Sequence, residues 1–291
     1  MLGHEAAWQA FTGALAAGRL HHAWLLAGPR GMGKRAFADR VAQRLLGDGP
    51  GRAWLDAGAH PDLRVLAPNP DRPTSGIGVD AVRGLQPLLR SHAGAGRYRI
   101  VIVDAADDMN ANAANALLKS LEEPGEGLLF LLVAHALGRL PATIRSRCRV
   151  LRFPPLSGDA IGRLLAERLP ELDPAERGEV VALCGGAPGE ALALAAAGAG
   201  ALIEALRRGP PEGFAERFAG AGGAEAFALF CQLAPRLAAQ AARAAPGAEA
   251  LAAHEEVTAL ARDALRPGED RVMMAHALAL ALARGSGKAA A

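Results

Sequence analysis

Residues 28 to 34 read Gly28-Pro29-Arg30-Gly31-Met32-Gly33-Lys34, the spacing G-x-x-x-x-G-K. Glycines so placed let backbone amides close around a phosphate, and the lysine brings a positive charge to it. The following position normally carries Ser or Thr, whose hydroxyl ligates the magnesium bridging the terminal phosphates. Here it is Arg35. A second half-site is Val101-Ile102-Val103-Asp104, an apolar run ending in an acid. Such an Asp supports the metal of a phosphoryl-transfer site, or merely caps the strand's exit; the residues alone leave both readings open. A hydrolytic site would have Glu next, as the base that activates water. The chain continues Ala105-Ala106-Asp107-Asp108, whose acids read as a helix N-cap and a first-turn acid. The candidate nucleotide-binding set is therefore Gly28, Gly31, Gly33, Lys34, Arg35 and Asp104. Backbone amides and a helix N-terminus there can still hold phosphate. Tight positioning of magnesium, and most of the rate, is missing.

The elements that must position these residues alternate. Ala23–Ala27 is a short apolar run feeding the loop, and 35–46 shows helical spacing with Phe37, Val41, Leu45 and Leu46 on one face. Strands are expected at 63–67, 99–103, 128–134 and 150–153, and helices at 79–89 and 111–122, the last stopped by Pro124. Strand–helix alternation predicts an α/β domain with a parallel sheet covered on both faces. After Pro154-Pro155 only helical periodicity remains. It is broken at Gly185-Gly186, at Gly209-Pro210-Pro211 and at Pro246-Gly247, with a frayed tail expected over 285–291. The expected domains are 1–155, 156–208 and 209–291, ample for a chain of 291 residues.

Two further segments carry charge without obvious chemistry. Ala113-Ala114-Asn115-Ala116-Leu117-Leu118-Lys119-Ser120-Leu121-Glu122-Glu123-Pro124 is an amphipathic helix closed by proline. Ile144-Arg145-Ser146-Arg147-Cys148-Arg149 is a basic turn before a strand. Spacing does not say which of Arg145, Arg147 and Arg149 points outward, and Cys148 reads as a small buried hydrophobe. A net charge of +2 with no polybasic tail gives no sign of strong autonomous binding to nucleic acid. The three cysteines, Cys148, Cys184 and Cys231, have no pair spacing and suit a reducing cytosol. Without a signal-peptide h-region or a membrane-length apolar run, a cytoplasmic protein is expected.

Taken together, L-x-x-L-E-E-P at 118–124, the Ser146-Arg147-Cys148 triplet, His60-Pro61-Asp62 and Gly78-Val79-Asp80-Ala81-Val82-Arg83 resemble the signature of bacterial clamp-loader AAA+ subunits. The resemblance runs from about His21 to Phe153 and continues weakly through 185–192. It implies a RecA-like AAA+ P-loop domain, a small helical lid and an all-α collar. It also sharpens the defects. Motor subunits carry Ser or Thr where Arg35 stands, Glu where Ala105 stands, a polar sensor near Ala134-His135-Ala136, and an Arg where Gly189 stands. The triplet survives, and in the family its Arg enters the neighbouring subunit's ATP site; by resemblance that finger is Arg147. The implied role is a non-motor (stator) subunit of the replicative clamp loader, without ATPase activity of its own, within a DNA polymerase holoenzyme and its nucleotidyltransferase assembly. The implied partners are the motor subunits and the delta subunit of a hetero-oligomeric ring, with the sliding clamp and primed DNA contacted indirectly. ATP binding would be degenerate. Related subunits often hold zinc with four cysteines between the first helix and His60; 47–59 contains none, so no metal is expected. The rival readings are an active ATP-hydrolysing motor subunit and, further off, a P-loop kinase.

Overall fold

In a computed structural model, residues 3–68, 76–90, 97–208, 213–266 and 268–285 are described below. The chain forms two compact units, Met1–Leu156 and Ser157–Ala291.

The first unit is built on five parallel strands: β1 (Ala23–Ala27), β2 (Leu63–Leu66), β3 (Arg99–Asp104), β4 (Leu128–Ala134) and β5 (Arg149–Arg152), in the order β2-β3-β4-β1-β5. Burial explains the sequence pattern. The central strands β1 and β4 are buried at every residue and β3 at all but its last, so their sequences are continuous apolar runs. The edge strands β2 and β5 are half exposed and keep arginines. Register places Leu25 opposite Leu132 on one side and Val150 on the other.

Helices cover both faces: α1 (Glu5–Ala16), α2 (Lys34–Leu46), α3 (Gly51–Asp56), α4 (Val79–Arg83), α5 (Gln86–Arg90), α6 (Ala111–Glu122) and α7 (Ala142–Arg145). On one face Leu25, Val101, Phe130 and Leu132 meet Val82, Leu85, Leu117, Leu121 and Ile144. Aromatic rings gather elsewhere, Phe11 lying 5.2 Å from Trp24 and Phe37 5.3 Å from Phe153, centroid to centroid. The expected single helix over 79–89 is two helices. Pro87 has no amide to donate to the Arg83 carbonyl, and Gly84 ends the first turn. Helix α1 carries no expectation from the sequence; its buried stripe is only Ala7 and Phe11. At the start of β3, Arg99 is 3% exposed and donates to the carbonyls of Leu88 (2.7 Å), Leu89 (3.1 Å) and Glu126 (2.7 Å), which ties α5 to the head of the sheet.

Among the described residues of the second unit the elements are helices: α8 (Gly158–Arg168), α9 (Pro174–Leu183), α10 (Pro188–Ala196), α11 (Ala199–Arg208), α12 (Ala224–Ala244), α13 (Ala248–Asp263) and α14 (Arg271–Gly285). Ser157 and Asp173 cap α8 and α9 by accepting from the amides of Ala160 and Ala175. Gly185 and Gly186, at φ 58 and 76, turn the chain out of α9. Helices α12, α13 and α14 pack pairwise on one another. The Gly209-Pro210-Pro211 break lies outside the described residues, as does the tail beyond Gly285, and Gly285 itself closes α14 rather than starting a frayed end.

Candidate functional site

Strand β1 delivers the chain to the phosphate-loop sequence at the carboxyl end of the sheet. The Gly28 amide donates to the Ala134 carbonyl at 3.2 Å, which holds the loop's root against the end of β4. A Cβ at Gly28 would lie 2.2 Å from the Phe153 carbonyl oxygen, so no other residue fits there. Gly33, at φ 75, enters α2 from the left-handed region. Helix α2 then points its N-terminus back at the loop, the arrangement that favours an anion.

Lys34 is only 3% exposed. Its ammonium folds back on the loop, donating to the carbonyls of Gly28 at 2.6 Å and Pro29 at 2.5 Å. Burial lowers its pKa from 10.5 to about 8, against the opposing pull of the Asp107 and Asp104 carboxylates. Arg35 lies across the site. Its Nε donates to Asp39 Oδ1 at 2.9 Å, and its Nη1 reaches Asp104 Oδ2 at 3.4 Å. Asp104 is therefore an ion-pair partner of the residue that replaces the metal-ligating hydroxyl. The next residue, Ala105, is 2% exposed and offers no base. Gly28, Gly31, Gly33, Lys34 and Arg35 thus share one loop and helix start, and Asp104 meets them from β3.

Asp107 and Asp108 depart from the helix-cap expectation. Both lie in a short 3-10 turn, Ala106–Asp108, and the cap of α6 is Asn110, whose Oδ1 accepts from the Ala113 amide at 2.9 Å. Asp107 instead accepts from the amides of His135 and Ala136, both at 2.9 Å, tying the exit of β3 to the end of β4. Asp108 pairs loosely with Arg30 at 3.8 Å. Burial, and then the nearby Lys34 charge, lower the pKa of the His135 ring. It lines a cleft of about 310 Å³ with Gly28, Pro29, Leu137, Arg152 and Phe153. Among the described residues, no group of three or more His, Cys, Asp and Glu is placed to hold a metal ion. His60 is 2% exposed, and its Nδ1 accepts from the Asp62 amide.

The basic turn is a separate place. Arg145 is exposed at the end of α7, while the Arg149 guanidinium stacks over Trp24 at 4.9 Å. Arg147 pairs its Nη2 with Glu122 Oε1 at 2.6 Å and donates from Nη1 to the Thr143 carbonyl at 2.9 Å. None of these partners belongs to the phosphate loop. Burial pushes the Cys148 thiol up to about 12, so it remains protonated. Glu122 and Asp107 are the partners that sequence reasoning missed. Nothing in the spacing joins 122 to 147 or 107 to 135, whereas the 35/39 pair was available as an i, i+4 contact.

The family described as DNA polymerase III, delta subunit, matches residues 3–157. Among curated proteins, the chain is similar to DNA polymerase III subunit delta' of Pseudomonas aeruginosa, with 44% identity over 179 residues, 57% of this chain and 53% of that protein. The corresponding Escherichia coli protein is 39% identical over 189 residues, 61% of this chain and 55% of that one. The matched region thus spans about half the length of these relatives. Among solved structures, a DNA polymerase III gamma subunit-related protein from Thermotoga maritima aligns over 95% of this chain and 99% of its own, with TM-score 0.54 and 20% identity. That likeness speaks to fold alone, and it agrees with a parallel sheet flanked by helices and followed by further helices.

Proposed function

The chain belongs to the DNA polymerase III, delta subunit, family, and from that premise we propose that it is a non-motor subunit of a replicative clamp loader. In this reading residues 1–155 are the AAA+ core, 156–208 a helical lid and 209–291 a collar that joins the ring. The motor subunits, the delta subunit, the sliding clamp and primed DNA are its direct or indirect partners. It works within the DNA polymerase III holoenzyme without turning over ATP itself.

The observation that carries the reading is the Arg35–Asp104 contact. A site that hydrolyses ATP through magnesium needs the hydroxyl and the carboxylate for the metal. Here a guanidinium stands in place of the first and is paired with the second, and its fixed charge repels a divalent cation. The loop's amides and the N-terminus of α2 remain suited to phosphate, with Lys34 beside them. The residues present therefore accommodate a phosphate but do not accommodate its catalytic metal.

The active contribution is then made in trans by Arg147, the finger presented to a neighbour's ATP. Its charge would offset that developing on the transferred phosphoryl group. In a reconstituted ring, Arg147→Ala should leave assembly intact and lower hydrolysis at the adjacent site by roughly 10³–10⁵, the range found for such fingers. Arg147→Lys should not rescue it, because Lys lacks the planar fork. Wild-type clamp loading by a ring shown to contain Arg147→Ala would end the proposal. The second reading, an active motor subunit, predicts magnesium-dependent turnover by the chain alone, which Arg35 and Ala105 oppose.

A further inference from the structure

The two segments that looked chemically mute in the sequence meet in the fold. Helix α6 ends at Glu122, with Leu121 buried beneath it and Pro124 stopping the chain two residues on. The Leu121 carbonyl is held by the His22 ring at 3.0 Å, so the last turn of α6 is anchored from a second element. From that anchored end the Glu122 carboxylate reaches the Arg147 guanidinium at 2.6 Å, while Thr143, on α7, accepts the same guanidinium through its carbonyl at 2.9 Å.

We propose that Glu122 is a positioning residue for Arg147, fixing its guanidinium so that the unused donor edge faces outward to an adjoining subunit's triphosphate. This rests on the finger reading above and specifies how the finger is held. A guanidinium has five N–H donors; Nη2 gives one to Glu122, and Nη1 serves the Thr143 carbonyl and, at 3.5 Å, Ser146 Oγ. Two donors remain on Nε and Nη2, enough for the two-point engagement of phosphate oxygens that distinguishes Arg from Lys. An unsupported Arg on the surface would sample many rotamers and lose that freedom on engagement. Two anchors on separate helices remove part of that loss beforehand. Glu122 is not a lock. The side chains of Arg147 and Glu122 are 35% and 48% exposed. A pair so placed is too weak to withhold a cation from a triphosphate.

The magnitude follows from that exposure. Loss of an exposed ion pair changes an equilibrium by up to about fivefold. In rings reconstituted with the full chain, Glu122→Gln should therefore lower kcat for ATP at the adjoining site about two- to fivefold, with KM unchanged. Glu122→Asp, one methylene shorter, should fall between Gln and wild type. The deciding measurement is the double variant: Glu122→Gln should have no further effect once Arg147→Ala is present, because the two act as one unit. The inference is overturned by an unchanged or raised kcat, by a loss expressed in KM, or by an additive loss in the double variant. An additive loss would make Glu122 a structural residue. If Arg147→Ala alone leaves hydrolysis at wild-type level, the finger reading falls and this inference with it. If Arg147→Ala is crippling while Glu122→Gln is silent, only this inference fails.

Discussion

Lys34 should titrate near pH 8, and the reason can be tested directly. The chain's lysines are Lys34, Lys119 and Lys288, so ¹³C-labelled lysine gives three resolvable signals. Lys34 is 3% exposed and its charge is met mainly by carbonyl dipoles. Lowering its pKa from 10.5 to about 8 corresponds to about 3 kcal/mol of penalty on the charged form in the fold, at 1.36 kcal/mol per pH unit. The sign follows from proton counting. Between about pH 8 and 10.5 the unfolded chain binds the proton and the folded chain does not, so stability rises with pH through that window. Below pH 8 both states are protonated and the full penalty weighs on the fold. Lys34→Met removes the penalty but leaves the Gly28 and Pro29 carbonyls without their donor, an offset of about 1 kcal/mol for each bond. The variant should therefore be more stable than wild type by about 1 kcal/mol at pH 7, and the order should reverse as pH rises, the variant being less stable by about 2 kcal/mol above pH 10.5, where the penalty is gone and the two lost bonds remain. Urea denaturation of the pair across pH 6–11, beside the lysine titration, reads both effects. A Lys34 signal titrating above pH 10, or a wild-type-minus-variant difference flat in pH, would refute the burial argument.

The isolated chain should show no magnesium-dependent ATP hydrolysis. Arg35→Thr alone should not restore it, because Ala105 still supplies no base and residues of a catalytic unit act non-additively; turnover on the order of 1 per second in that variant would contradict this account of the defect. Asp107→Ala strips the acceptor from the His135 and Ala136 amides and should destabilise the first unit by about 1–3 kcal/mol, read by thermal or urea unfolding; an unchanged midpoint would mean water replaces the carboxylate without loss. Cys148 should resist a thiol reagent at pH 8 in the folded chain and react on denaturation, since its pKa is pushed up to about 12; prompt labelling in the folded state would show that the turn around Arg147 opens.

Much of the architecture was legible because burial on both faces imposes a pattern a reader can see. β1 and β4 are unbroken apolar runs, and their residue bounds match the expected ones. The edge strands shifted by a residue, since half-exposed strands tolerate arginine and blur their ends. Gly28 to Lys34 was readable as a phosphate loop because that chemistry is local: backbone amides, a left-handed glycine and a helix start lie within seven residues. The defect at Arg35 was local too, a change of one residue type at one position. Only the tertiary structure could say what those residues do to one another. Arg35 meets Asp104 across 69 positions, and Asp107 holds the His135 amide across 28. Glu122 reaches Arg147 from another helix. Each of these contacts depends on which strand lies beside which, and on where a loop leaves the sheet. A side chain's partner at long range is set by the packing of the whole sheet and its helices, and no spacing along the chain encodes it.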